Sequence, residues 1–306
     1  ASRAPRLPAG SPRRAGPRPL SRAGGAWAAM AVLEAAAVVV AFALMALSNN
    51  LAMRKAFGGK DNKEISDEHP TYVSPDGLTF AIWGIIYLLE LVLVIFQAMP
   101  SERTEQLLSQ RCPWTGLDVR QRLVCAFLAN SVWLPVFNNE KYWAALAIMA
   151  VYLSFLLSVY SDLNVGATRT FLEALTLTAG VAMNASWIIV AFLVSVFFCA
   201  GLAGWQDEFG VAGSVPVAAA AVVLVSALAC WRVAVGLDLA WAFAAAWALR
   251  GIFRMQTVPD KVRFPISALS PGLGELARYC SLAVAASMVI STACMIHART
   301  ASVKAE

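Results

Sequence analysis

Eight long apolar runs, separated by polar stretches, leave this chain few folds to choose from. They lie at about 27–48, 77–98, 121–137, 142–160, 170–203, 215–235, 238–253 and 274–297. A helix needs about 20 such residues to cross the hydrocarbon of a bilayer. A barrel strand needs only about ten, alternating in polarity, and these runs do not alternate. Composition points the same way. Of 306 residues, 59% are hydrophobic and 14% charged, against roughly 45–50% and about 25% in a soluble domain. The expectation is an all-α integral membrane protein with eight transmembrane helices. Its first partner is then the lipid bilayer.

The connections add detail. Ser48-Asn49-Asn50 reads as the end of the first helix, and Asn138-Asn139-Glu140-Lys141 as a short turn between antiparallel neighbours. The run at 170–203 exceeds one crossing. It is therefore expected to tilt, to kink near Gly180, or to begin with a short interfacial helix. Residues 1–26 are rich in Arg, Pro, Ala, Gly and Ser and hold no acidic residue. Such a segment cannot bury a core and is expected to be disordered. It reads either as an organelle transit peptide, plastid or mitochondrial, or as sequence ahead of a true start at Met30. Residues 298–306 form a C-terminal tail.

Several chemistries lack their residues. The six cysteines are scattered without a CxxC pair, and His69 and His297 lie far apart, so no metal site is expected; His69, in a polar loop, reads as a solvated side chain. There is no Gly-rich phosphate loop and no GxSxG elbow. No enzymatic activity is expected. The net charge of +5 fits membrane orientation and anionic lipid better than nucleic acid.

Three stretches carry the candidate binding residues. In the first, Pro75-Asp76-Gly77 makes a turn that starts a helix, with Asp76 at its positive end. Phe80, Trp83 and Tyr87 then share one helix face. The second is Asn130-Ser131-Val132-Trp133-Leu134-Pro135, with the amide one turn before the indole. The third is Asn184-Ala185-Ser186-Trp187. Each has a plainer reading, as an interfacial aromatic belt, helix-to-helix glue or core packing. Glu90 stands mid-run, where a charge is costly and is either paired or functional. Tyr87 is its nearest candidate partner by spacing, and Arg232 a more distant one.

Read together, Pro75, Gly77, Phe80, Ile82-Trp83-Gly84, Ile86-Tyr87 and Asn130-x-x-Trp133 resemble the tryptophan-rich sensory proteins, relatives of the translocator protein (the peripheral benzodiazepine receptor). The likeness is to a longer, bacterial-type branch. It extends to Trp187 and to Trp247-Ala248-Leu249-Arg250-Gly251-Ile252. The resemblance implies a translocator-like bundle of five helices over 27–203, three additional helices over 204–297, and binding of a tetrapyrrole or sterol-like ligand. It does not account for Glu90. The leading expectation is a membrane binding or sensory protein for a hydrophobic small molecule, with Trp83, Tyr87, Asn130, Trp133, Trp187 and Glu90 at the site. Two other readings stay open: an accessory subunit of a larger membrane complex or homo-oligomer, and a transporter coupled through Glu90.

Overall fold

The computed structural model describes residues 23–99, 101–164, 170–257 and 270–305. Long apolar sequences satisfy their backbone hydrogen bonds internally, and the chain is helical almost throughout these residues. The long helices are α1 (Ala23–Met53), α3 (Ile82–Gln97), α5 (Val119–Asn138), α6 (Tyr142–Asn164), α8 (Ala179–Leu202), α9 (Val215–Gly236), α10 (Leu239–Thr257) and α11 (Pro271–Ala305). Shorter pieces are α2 (Asn62–Glu68), α4 (Glu102–Leu108) and α7 (Phe171–Glu173). A 3₁₀ turn, Gly77–Ala81, leads into α3, and a π-helical stretch, Ala174–Thr178, leads into α8.

Every expected run is thus a helix, but the expected count of eight crossings needs correction. Among the described residues, six are long and apolar enough to span a membrane: Met30–Met53, Gly77–Gln97, Tyr142–Leu163, Phe171–Leu202, Val215–Gly236 and Pro271–Ser302. The other two, α5 and α10, carry Arg120 and Arg122, and Arg250 and Arg254. Those charges lower their hydropathy, yet both helices pack among the apolar ones in a single core. The first helix also does not stop at Ser48-Asn49-Asn50; it runs on to Met53. Of the expected N-terminal tail, residues 1–22 lie outside the described residues, and Ala23 already belongs to α1.

Two ends of the bundle are built differently. At one, α5 begins with a capping box, in which Asp118 Oδ1 accepts from Gln121 N at 2.9 Å, and then turns two arginines inward. Arg120 grips Glu105 through two bonds of 2.6 and 2.7 Å and reaches Gln97 Oε1 at 2.9 Å. Arg122 is fully buried and donates to Asp162 at 2.5 Å and Ser158 at 2.6 Å. Buried cations need such partners, because an unpaired charge is far more expensive. The Arg120 guanidinium in turn holds the Glu105 carboxyl below its ordinary range.

At the opposite end, loops interlock. Ala212 N donates to Pro70 O at 2.8 Å, and the Tyr72 hydroxyl donates to Asp207. Burial, then this bond, push the Tyr72 phenol up to about 12. The Pro75–Gly77 turn docks on α10. Asp76 N donates to Gly251 O at 3.1 Å, Arg254 pairs with Asp76 at 2.9 Å, and Trp247 Nε1 donates to Thr79 O at 2.8 Å. Gly251 allows this approach, since a Cβ there would lie 2.1 Å from Thr79 Oγ1. The two stretches most distant in the family resemblance therefore meet in space.

Candidate functional site

The functional face of the bundle has two tiers, which follow from helix periodicity. Antiparallel packing of α3 on α8 sets Phe80 and Trp83 against Trp187, with ring centroids 5.8 and 6.2 Å apart and near-perpendicular planes. One or two turns along, the same two helices bring Glu90 to Asn184. Residues three or four apart share a helix face, so each helix that offers an aromatic to the first tier offers a polar group to the second. Trp133 and Asn130 repeat this on α5, and Met149 and Tyr152 repeat it on α6.

The first tier is a narrow, half-open cavity with about 80 Å³ of room for the centres of water-sized groups. Its walls are Trp133 and Phe137 of α5, Met149 of α6, and Trp187, Val190 and Phe198 of α8. The segment between α1 and α3 covers it with Ile65, His69, Pro75 and Phe80. Its walls are apolar with few polar groups, the composition of small-molecule pockets. Trp133 stacks on Phe137, centroids 5.4 Å apart. His69 stands edge-on to Phe198 at 4.8 Å and to Tyr142 at 5.8 Å. Burial lowers the His69 pKa from its ordinary value, with Glu68 pulling weakly the other way. Burial thus favours the neutral ring, because a cation there would be poorly solvated.

Among the described residues, the buried indole N–H groups of Trp133 and Trp187, two residues of this wall, have no hydrogen-bond partner. A buried donor without a partner costs about 1–3 kcal/mol, and native proteins rarely leave two together.

The second tier is polar and closed. Asn49 Nδ2 donates to Tyr87 Oη at 2.7 Å and to Asn130 Oδ1 at 2.8 Å. Asn184 Nδ2 donates to Glu90 Oε1 and to Tyr152 Oη, both at 2.5 Å. Glu90 is 1% exposed. Gly180 lets α8 approach this closely, as a Cβ there would lie 2.9 Å from the Leu89 carbonyl carbon.

A sequence model for TSPO-like proteins matches residues 35–294, most of the chain. The chain belongs to the TSPO-like family. Comparison with curated proteins and with solved structures finds no match. Family membership and the six apolar helices make this TSPO-like chain an integral, multi-pass membrane protein.

Within this TSPO-like bundle the six expected site residues separate. Trp133 and Trp187 line the cavity. Trp83 packs against Trp187 and, 5.4 Å away, against Tyr87. Tyr87, Asn130 and Glu90 belong to the polar tier instead. The partner of Glu90 is Asn184, not Tyr87 or Arg232. Arg232 lies far along α9, 4.0 Å from Asp238 and over the Tyr160 ring. Asn184, singled out for its place beside Trp187, lies 94 residues from Glu90, a separation that spacing along one helix does not report. Asn49, read as a helix stop, and His69, read as solvated, were not expected at the site. Asn49 did carry a signal, as an amide within an apolar run. His69 carried none.

Proposed function

We propose that this chain is a non-catalytic membrane protein that binds an apolar small molecule carrying a hydrogen-bond acceptor, within a bundle of α1, α3, α5, α6 and α8. The observation that supports the reading best is the pair of unpartnered indole N–H groups, on Trp133 and Trp187, in the wall of one aromatic cavity. Aromatic walls supply area and fixed geometry, while the two donors set orientation. A rigid tetrapyrrole carries several acceptor groups on an apolar frame, whereas a sterol would have to answer both indoles with the two lone pairs of one hydroxyl oxygen. The inward packing of Trp83 and Trp187 also favours a binding protein over an accessory subunit, whose aromatics would face a partner.

The test is a titration of the protein in lipid nanodiscs with protoporphyrin IX and, separately, with cholesterol. Wild type is expected to bind protoporphyrin IX. Trp133→Phe and Trp187→Phe keep the ring and remove the N–H, and each is expected to weaken binding about two- to tenfold, the worth of one hydrogen bond. Unchanged affinity in both variants would remove the indoles from the site. Binding of neither probe would remove the ligand class.

A further inference from the structure

The polar tier beneath the cavity has a composition that packing alone does not explain. Five helices each send amide, phenol or carboxyl groups to it: Asn49 from α1, Tyr87 and Glu90 from α3, Asn130 from α5, Tyr152 from α6 and Asn184 from α8. Tyr152 and Asn184 are fully buried and Glu90 and Asn130 nearly so. Polar side chains in such a setting are expensive unless each finds a partner. Yet among the described residues three oxygens, Glu90 Oε2, Asn49 Oδ1 and Asn184 Oδ1, have none, and neither does Asn130 Nδ2. The tier is left with unanswered polar atoms, and one of them is the second oxygen of a carboxyl group.

What faces Glu90 narrows the remedy. From α8 it meets the Asn184 amide. Its own helix contributes the Tyr87 phenol and α6 the Tyr152 phenol; α1 and α5 offer the amides of Asn49 and Asn130. The charged groups of these helices sit at the arginine end and are engaged there. Arg120 pairs with Glu105, Arg122 with Asp162, and Glu34 accepts from Gln121 at 3.2 Å. On the turn ahead of α8, Glu173 pairs with Arg103 at 3.0 Å. Among the described residues, no ion pair reaches Glu90. A metal ion would need volume, and the aromatic cavity includes none of the six residues, while Gly180 already brings the α8 backbone against Glu90 N. A proton needs no volume, and it turns the unpartnered Glu90 Oε2 into a donor beside the open amide oxygens of the tier.

We propose that Glu90, framed by Asn49, Tyr87, Asn130, Tyr152 and Asn184, is an exchangeable proton-binding site within the membrane. The step is the reversible transfer of one proton from water to a carboxylate oxygen, with no other bond made or broken. Asn184 stands one turn from Trp187, and Asn130 one turn from Trp133. A change in the hydrogen bonding of either amide is therefore transmitted along its helix to the cavity wall. The proton site does not depend on what the cavity binds. It gives the polar tier a function whether or not the cavity takes a tetrapyrrole.

Difference infrared spectroscopy of the full chain in lipid, scanned over pH, reads the proton directly. The expected result is a protonated-carboxyl band that disappears as pH rises and is missing from Glu90→Gln. Its midpoint is expected to move by about one pH unit in Tyr152→Phe, which leaves the carboxyl in place and removes one neighbouring hydroxyl. A carboxyl that stays protonated, or stays ionised, over the whole range would overturn the proposal. So would a band that survives in Glu90→Gln, or one that sodium displaces at fixed pH, since the site would then take a metal ion. If Glu90→Gln fails to fold, the wild-type scan and Tyr152→Phe still decide the matter. Because no cavity ligand is added, failure here leaves the binding function untouched.

Discussion

Single residues determine how the cavity responds to its surroundings, and His69 shows this best. Its ring lies against Phe198 and Tyr142, and burial depresses its pKa below the ordinary 6.5. The sign follows from linkage: the unfolded chain then binds the proton more readily than the folded one. The stability from burying the neutral ring is present above 6.5 and is lost as pH falls through the depressed value. Wild type is therefore expected to lose more of its thermal stability than His69→Phe when moved from about pH 7.5 to 5. Equal losses in the two proteins would mean that the ring is solvated. Sequence reading gave His69 to solvent because its neighbours, Glu68 and Pro70, are polar or turn-forming. The aromatic partners arrive from α6 and α8, at separations that no local pattern reports.

At the scale of elements, registration of α3 on α8 decides whether the two tiers line up. Gly180 makes that registration possible, because Leu89 and Glu90 backbone atoms occupy the space of its missing Cβ. Gly180→Ala is expected to destabilise the protein by about 1–3 kcal/mol through overpacking. Gly84→Ala, where a Cβ would meet nothing within 4 Å, is expected to be neutral or to stabilise by up to about 1 kcal/mol through helix propensity. Thermal unfolding in a mild detergent compares them, and equal effects would contradict the close contact. The apolar runs made the existence of every long helix legible, because hydropathy is a property of the local sequence. Their ends were less so. Asn49 and Asn50 break isolated helices, but α1 continues because Asn49 finds Tyr87 and Asn130. The count of eight took the runs at 121–137 and 238–253 as crossings, but α5 and α10, which hold them, are not among the six helices apolar enough to span. The arginines of α5 are answered by Glu105 and Asp162. A π-helical stretch, Ala174–Thr178, stands ahead of Gly180, a form often found at functional sites.

For the whole molecule, the bundle is an aromatic cavity held open between two braced ends. Buried arginine pairs close one end, and the paired loops at Pro70–Tyr72 and Asp207–Ala212 close the other. The indoles of the site were legible because each stands one turn from an amide, a pairing that is rare in lipid-facing helices. The rest of the wall was not, since Phe198, Met149 and Phe137 look like any core residue until the fold collects them. The account stands on that cavity being the place where the ligand sits. Photo-crosslinking tests it most directly, with a diazirine-bearing porphyrin activated on the protein in nanodiscs and adducts mapped by mass spectrometry. The expected adducts fall within Ile65–Phe80, Trp133–Phe137 and Trp187–Phe198. Adducts confined to the outer faces of α9 and α11 would contradict the account.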